Sequence, residues 1–189
     1  VWVITTGLPG TGKSVLARAI ARAWGLEVLR SDVIRKELAG LAPGQRAGAE
    51  IDQGLYTPER TRATYAAMLE RAVRCTRAGR PGAPAQHAGV VLDANFPTRA
   101  LRAAAVAAGR GAGARVLIVE VAAPESVVHA RLVERAASGL DASDAGPAVY
   151  QAAKARFEPS RPEEADAWLR VDGSRPADDH LGPALAALG

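Results

Sequence analysis

The 189-residue sequence holds one cysteine, Cys75, and three histidines. A single cysteine excludes an internal disulfide and a cysteine-based zinc cluster. Cys75 itself, on a helical stretch, reads as a small core residue. His87, His129 and His180 are scattered without metal-ligand spacing. No apolar run reaches the roughly 18 residues of a membrane span, and the opening Val1-Trp2-Val3-Ile4 is too short and lacks the charged flank of a signal peptide. A reducing, cytoplasmic location is therefore expected, with no membrane partner. The missing initiator Met suggests a trimmed chain or a domain cut from a longer one. Aromatic residues make up only 4%, so few rings are available for bases to stack on. Lysine is scarce as well. Of 24 basic residues only Lys13, Lys36 and Lys154 are lysines; the others are arginines. The formal charge of +4 permits a nucleic-acid partner without favouring one, and much of the arginine bias reads as genomic, given the abundance of Ala, Gly and Pro.

What is present suits a globular protein. Hydrophobic residues make up 48%, and the length fits one domain over residues 1–189 with a core of its own. Short β-branched runs (Val1–Thr6, Glu27–Ser31, Gly89–Asp93, Arg115–Ala122, Trp168–Val171) alternate with helical patterns. The helices are expected at Lys13–Trp24, Val33–Ala39, Pro58–Ala78, Thr98–Ala108, Pro124–Ala137, Pro147–Phe157 and Asp178–Leu188. Such alternation predicts an α/β fold, a parallel sheet with helices on both faces. Leu41–Thr57, Ala78–Ala88 and Ser138–Gly146 read as loops.

The strongest signal is Gly7-Leu8-Pro9-Gly10-Thr11-Gly12-Lys13-Ser14, which fits G-x-x-x-x-G-K-[ST] between a strand and a helix. Glycines let the backbone N–H groups turn inward around phosphate oxygens. Lys13 is a compact charge able to reach the β- and γ-phosphates, and Ser14 offers a hydroxyl to Mg²⁺. Gly7, Pro9, Gly10, Thr11, Gly12, Lys13, Ser14 and Val15 are thus the candidate ATP-binding residues, and Ser14 the candidate metal ligand. The spacing is not that of a dinucleotide-binding loop.

The next strand candidate, Val90-Val91-Leu92-Asp93-Ala94-Asn95, has Ala rather than Glu after its aspartate, and no Asn-Lys-x-Asp occurs. Both features lean away from an ATP motor or a GTPase switch and towards a kinase with a hydroxyl acceptor. In Arg30-Ser31-Asp32-Val33-Ile34-Arg35, Asp32 is expected at the carboxyl end of the second strand, where open α/β sheets bind ligands. It could take up an acceptor proton, with Arg35 one turn later holding a polar or anionic group. A simpler reading makes Asp32 a helix N-cap and Arg35 a surface charge. Arg131 and Arg135, one turn apart, could close over the transferring phosphate; the plain alternative is a solvated helix face.

Taken together, Gly7–Ser14, Arg30-Ser31-Asp32-x-x-Arg35, Leu92-Asp93-Ala94-Asn95-Phe96 and Arg131-x-x-x-Arg135 resemble the P-loop kinases related to phage polynucleotide kinase and zeta toxin. More closely the chain resembles the "predicted kinase" group, also called AAA-type ATP-binding proteins, as do Leu55–Glu59 and Phe157-Glu158-Pro159. The resemblance implies a P-loop NTPase three-layer α/β/α sandwich whose five-stranded parallel sheet has the nucleoside-kinase order 2-3-1-4-5. It implies phosphate and Mg²⁺ binding by Lys13 and Ser14, a general base at Asp32, a substrate-side arginine at Arg35, acceptor-facing Asp93 and Asn95, and lid arginines at Arg131 and Arg135 in a lid near 131–146. It also implies a fused phosphotransferase-like domain in some parent chains and an adenine pocket near Val171–Ser174. Val15 departs from the Thr of many relatives, and Ala42–Gly54 matches no known acceptor pattern.

The leading expectation is an ATP- and Mg²⁺-dependent kinase acting on a hydroxyl of a small molecule: a sugar, aminocyclitol or nucleoside. The alternatives are a 5′-hydroxyl polynucleotide kinase and an ATP-binding regulatory module of a larger protein.

Overall fold

The computed structural model describes residues 1–42, 56–78, 89–138 and 147–188. Five strands, β1 (Trp2–Thr6), β2 (Glu27–Arg30), β3 (Val90–Asp93), β4 (Val116–Ala122) and β5 (Ala167–Asp172), form one parallel sheet in the order β2-β3-β1-β4-β5. This is the expected P-loop arrangement. The helices are α1 (Lys13–Trp24), α2 (Ser31–Leu38), α3 (Pro58–Ala78), α4 (Arg99–Gly111), α5 (Glu125–Ser138), α6 (Pro147–Arg156) and α7 (Leu181–Leu188).

The period-2 geometry of strands splits each central strand between two cores. Trp2, Ile4, Val90, Leu92, Val116 and Ile118 face a core built with α3 and α4. Val3, Val91, Leu117, Val119 and Val121 face the opposite core, under α1 and α7. Burial on both faces explains why these strands read as continuous apolar runs. Val128 and Leu132 of α5 pack with Tyr150 of α6 in a third, smaller cluster.

Most boundaries lie within one residue of the sequence reading, but α4 runs three residues past the expected Ala108 and two others differ in kind. Strand β2 ends at Arg30, and α2 begins at Ser31, two residues before the expected Val33; Arg30, with extended φ −102° and ψ 123°, is the N-cap. Asp32 is therefore neither a strand end nor a cap but a member of the first helical turn, where a carboxylate favours the helix dipole. The last helix is not continuous from Asp178. A tight turn over Ala177–His180 precedes α7, because Pro183 has no N–H to donate backwards and is tolerated only in a first turn. Cys75 packs against the core as expected, and burial pushes its thiol pKa up. Most of the first expected loop (43–55) and nearly all of the other two (79–88 and 139–146) lie outside the described residues.

Candidate active site

The loop after β1 is shaped by close backbone approaches. Gly7 has φ +140°, and a Cβ there would strike the Val121 carbonyl oxygen of β4, so only glycine fits. Its N–H donates to the Asn95 carbonyl at 3.2 Å, and the Thr6 hydroxyl donates to the same carbonyl at 3.0 Å. The phosphate loop is thereby tied to the end of β3. Helix α1 starts at Lys13 behind a left-handed Gly12, with no side-chain cap and no acidic residue in its first turn. Nothing on the helix itself cancels the positive end of its dipole, the arrangement that suits a bound phosphate. Lys13 is 7% exposed and donates from Nζ to the Leu8 carbonyl at 2.6 Å, which the Thr11 hydroxyl also reaches, at 2.9 Å. Pro9 and Gly10 are buried, and Val15 turns its side chain to solvent.

Ser14 donates from Oγ to Asp93 Oδ1 at 3.1 Å. The other carboxylate oxygen, Oδ2, accepts from Arg30 Nε at 3.2 Å. The hydroxyl and the carboxylate are hard oxygen donors beside a phosphate loop, and they fit Mg²⁺, which typically takes one or two protein oxygens and completes its shell with phosphate and water. Among the described residues, no group of three or more His, Cys, Asp or Glu could hold a metal.

Arg131 Nη1 donates to the Gly173 carbonyl at 2.9 Å and lies 3.4 Å from the point a Cβ on Gly12 would occupy. It therefore stands over the phosphate loop rather than on a solvated helix face. Gly173 packs so tightly that a Cβ would strike the Thr11 carbonyl oxygen, which brings the end of β5 against the loop. The Arg135 side chain lies outside the described residues, as does most of the expected lid.

On α2, Arg35 is 7% exposed, not the surface charge of the simpler reading. It donates from Nη1 to Thr61 Oγ1 at 3.2 Å, and its guanidinium lies 4.9 Å from the centre of the Tyr56 ring, within cation–π range. Asp32 is half-buried on the same helix. Tyr65, one turn beyond Thr61, accepts at Oη from the Phe96 N–H at 3.1 Å. Burial first, then the nearby Asp32 charge, push its phenol up to about 12, against opposing effects of the Phe96 hydrogen bond and Arg35. The Asn95 side chain is exposed; its carbonyl is what meets the loop.

Sequence reasoning did not assign Arg30, Thr61, Tyr65 or Phe96. The Arg30–Asp93 pairing follows from strand register, which no motif spells out. Phe96 carries φ +41°, rare for a bulky residue, and no sequence signal marks it.

A family profile described as an AAA domain matches residues 2–160. The uncharacterized protein Rv2004c of Mycobacterium tuberculosis is 29% identical over 180 residues, covering 94% of this chain but 32% of its own length. The chain thus spans about a third of that curated relative. Among solved structures, a sugar kinase from Janibacter sp. superposes with a TM-score of 0.71 at 19% identity, covering 99% of this chain and 93% of its own. The Mycobacterium tuberculosis APS kinase CysC, in complex with AMPPNP and APS, gives 0.63 at 21% identity, covering 99% and 96%. These likenesses establish the α/β P-loop NTPase fold.

Proposed function

The chain belongs to the AAA domain family, and from that premise we propose that it is a phosphotransferase moving the γ-phosphoryl group of ATP to a hydroxyl of a small-molecule acceptor of sugar, aminocyclitol or nucleoside type. The observation that carries the reading is the Ser14–Asp93 hydrogen bond at 3.1 Å. It joins the phosphate loop to the end of β3, at the carboxyl ends of the strands. The neighbours described as a sugar kinase and an APS kinase support a small acceptor.

In this reading the amides of Gly10–Ser14 and the Lys13 ammonium hold the β- and γ-phosphates. Ser14 would hold Mg²⁺, which would offset charge on the phosphates, and Asp93, expected to face the acceptor, is reassigned to the metal because its buried carboxylate accepts from Ser14. Arg35 and Asn95 orient the acceptor, and Asp32 accepts the proton of its hydroxyl. The acceptor oxygen forms a bond to the γ-phosphorus as the bond to the bridging oxygen of ADP breaks, and Arg131 and Arg135 offset the charge on the transferring oxygens.

The test is ADP release with Mg·ATP across hexoses, sugar acids, aminocyclitols, nucleosides and a 5′-hydroxyl oligonucleotide, each against an acceptor-free control. Stimulation by one small-acceptor class supports the reading. Stimulation by the oligonucleotide alone would make the protein a polynucleotide kinase, and ATP binding without stimulation by any acceptor would point to a regulatory module.

A further inference from the structure

Arg30 and Asp93 are direct partners in the β2–β3 register, so their side chains leave neighbouring strands on the same face of the sheet. The carboxylate is 5% exposed and the arginine side chain 23%. Both oxygens of Asp93 are engaged: one accepts from Ser14 at 3.1 Å and the other from Arg30 at 3.2 Å. Any cation held by Ser14 and Asp93 must share that carboxylate with the guanidinium.

We propose that Arg30 is the resident counter-cation of Asp93 and sets the terms of Mg²⁺ entry: it opposes loading of the Ser14–Asp93 pair by the metal alone, so that Mg²⁺ enters with the phosphates of ATP. The inference rests on the Mg·ATP part of the proposed function. The physical reason is charge balance. Repulsion between a divalent ion and a guanidinium across one buried carboxylate is poorly screened. The triphosphate adds enough negative charge to reverse that balance. Removing the guanidinium alone leaves a buried carboxylate without a cation, a role that Mg²⁺ can then fill.

A plain cross-strand ion pair that fastens the edge strand β2 to β3 makes a different prediction, and nucleotide-free protein distinguishes the two. Melting temperature and calorimetric titration are measured against MgCl₂ for wild type, Arg30→Gln, Arg30→Lys and the double variant Arg30→Gln/Asp93→Asn. Arg30→Gln is expected to melt lower without metal, to regain stability with MgCl₂ but not with NaCl of equal ionic strength, and to half-saturate at an Mg²⁺ concentration about tenfold or more below wild type. Arg30→Lys keeps the charge and should respond like wild type. The double variant should not respond. If Arg30→Gln does not fold without metal, Arg30→Met preserves the packing of the stem, and recovery by MgCl₂ alone is the same expected result.

An equal loss of stability at every Mg²⁺ concentration, or a higher Mg²⁺ requirement than wild type, overturns the proposal. So does failure of MgCl₂ to restore either variant. Because no nucleotide is present, these outcomes are separate from the fate of the kinase reading, which falls if wild type fails to bind Mg·ATP.

Discussion

Arg102 and Glu164 form a forked ion pair inside the protein, with Nε to Oε2 at 2.6 Å and Nη2 to Oε1 at 3.0 Å. Their side chains are 0% and 3% exposed. The rest of the guanidinium donates to the carbonyls of Phe96 at 3.1 Å and Glu158 at 2.8 Å. Phe96 is the residue at φ +41°, and its neighbour Asn95 receives the Gly7 N–H. A buried arginine on α4 therefore fixes the bend after β3, and the bend fixes the phosphate loop. Strain of this kind persists where the surroundings over-determine it.

Arg102→Ala should therefore lower stability by about 3–5 kcal/mol, the range for breaking a buried pair and stranding its partner. Arg102→Ala/Glu164→Ala should lose less than the sum of the two single variants. Urea unfolding measures both. A loss under about 1 kcal/mol in the single variant would show that the pair is a bystander.

The fold was legible where chemistry is local. Five strands alternating with helices follow from apolar runs separated by helical periods, whereas the sheet order followed only from the family resemblance; α3 matches its expected bounds because Pro58 opens it and Gly79 follows it. The phosphate loop was legible because Gly7, Gly12, Lys13 and Ser14 stand at fixed spacing. Arg102 and Glu120 were not. By periodicity a charged residue on an alanine-rich helix reads as a solvent face. Glu120 lies within β4 and is 3% exposed because Ser160 donates to it twice, from N at 2.6 Å and Oγ at 2.8 Å. Such partners lie 40 or more residues apart, and pairing at that range is set by topology rather than by pattern. The start of α2 was missed for a related reason: Asp32 is a good cap by type, yet the strand register ends at Arg30.

In Lys13→Ala, ATP affinity should fall roughly 10- to 100-fold, the worth of a charge-assisted hydrogen-bonding group. Lys13→Arg should not restore it, although arginine replaces lysine almost everywhere else in this chain. A planar guanidinium cannot occupy the pocket of a compact ammonium that is 7% exposed. Calorimetric titration with Mg·ATP decides, and wild-type affinity in either variant would remove the phosphate role.

Asp32→Asn should cut transfer to the acceptor by about 100-fold or more while ATP affinity stays within about threefold. Asparagine keeps the shape and cannot take the proton. Steady-state rates with a responsive acceptor, set beside Mg·ATP titration, provide the check. An unchanged turnover number would assign proton uptake elsewhere.

Tyr65 should contribute to the alkaline limb of stability. Its phenol is raised in the folded protein from 10 to about 12, chiefly by burial. The unfolded chain therefore loses this proton first as pH rises, and the folded state binds more protons between those values. By linkage, the contribution is complete well below pH 10 and declines above it, with on the order of 1 kcal/mol gone by pH 11. The chain also holds three lysines, two other tyrosines and Cys75, so the Tyr65 share is isolated by comparison with a Tyr65→Phe variant. Tyr65→Phe should cost about 1–2 kcal/mol at neutral pH, because the Phe96 N–H loses its acceptor, and should flatten the decline between pH 10 and 11. Urea unfolding of both proteins at pH 8, 10 and 11 measures the two slopes. Parallel slopes would mean that Tyr65 ionises like an exposed phenol.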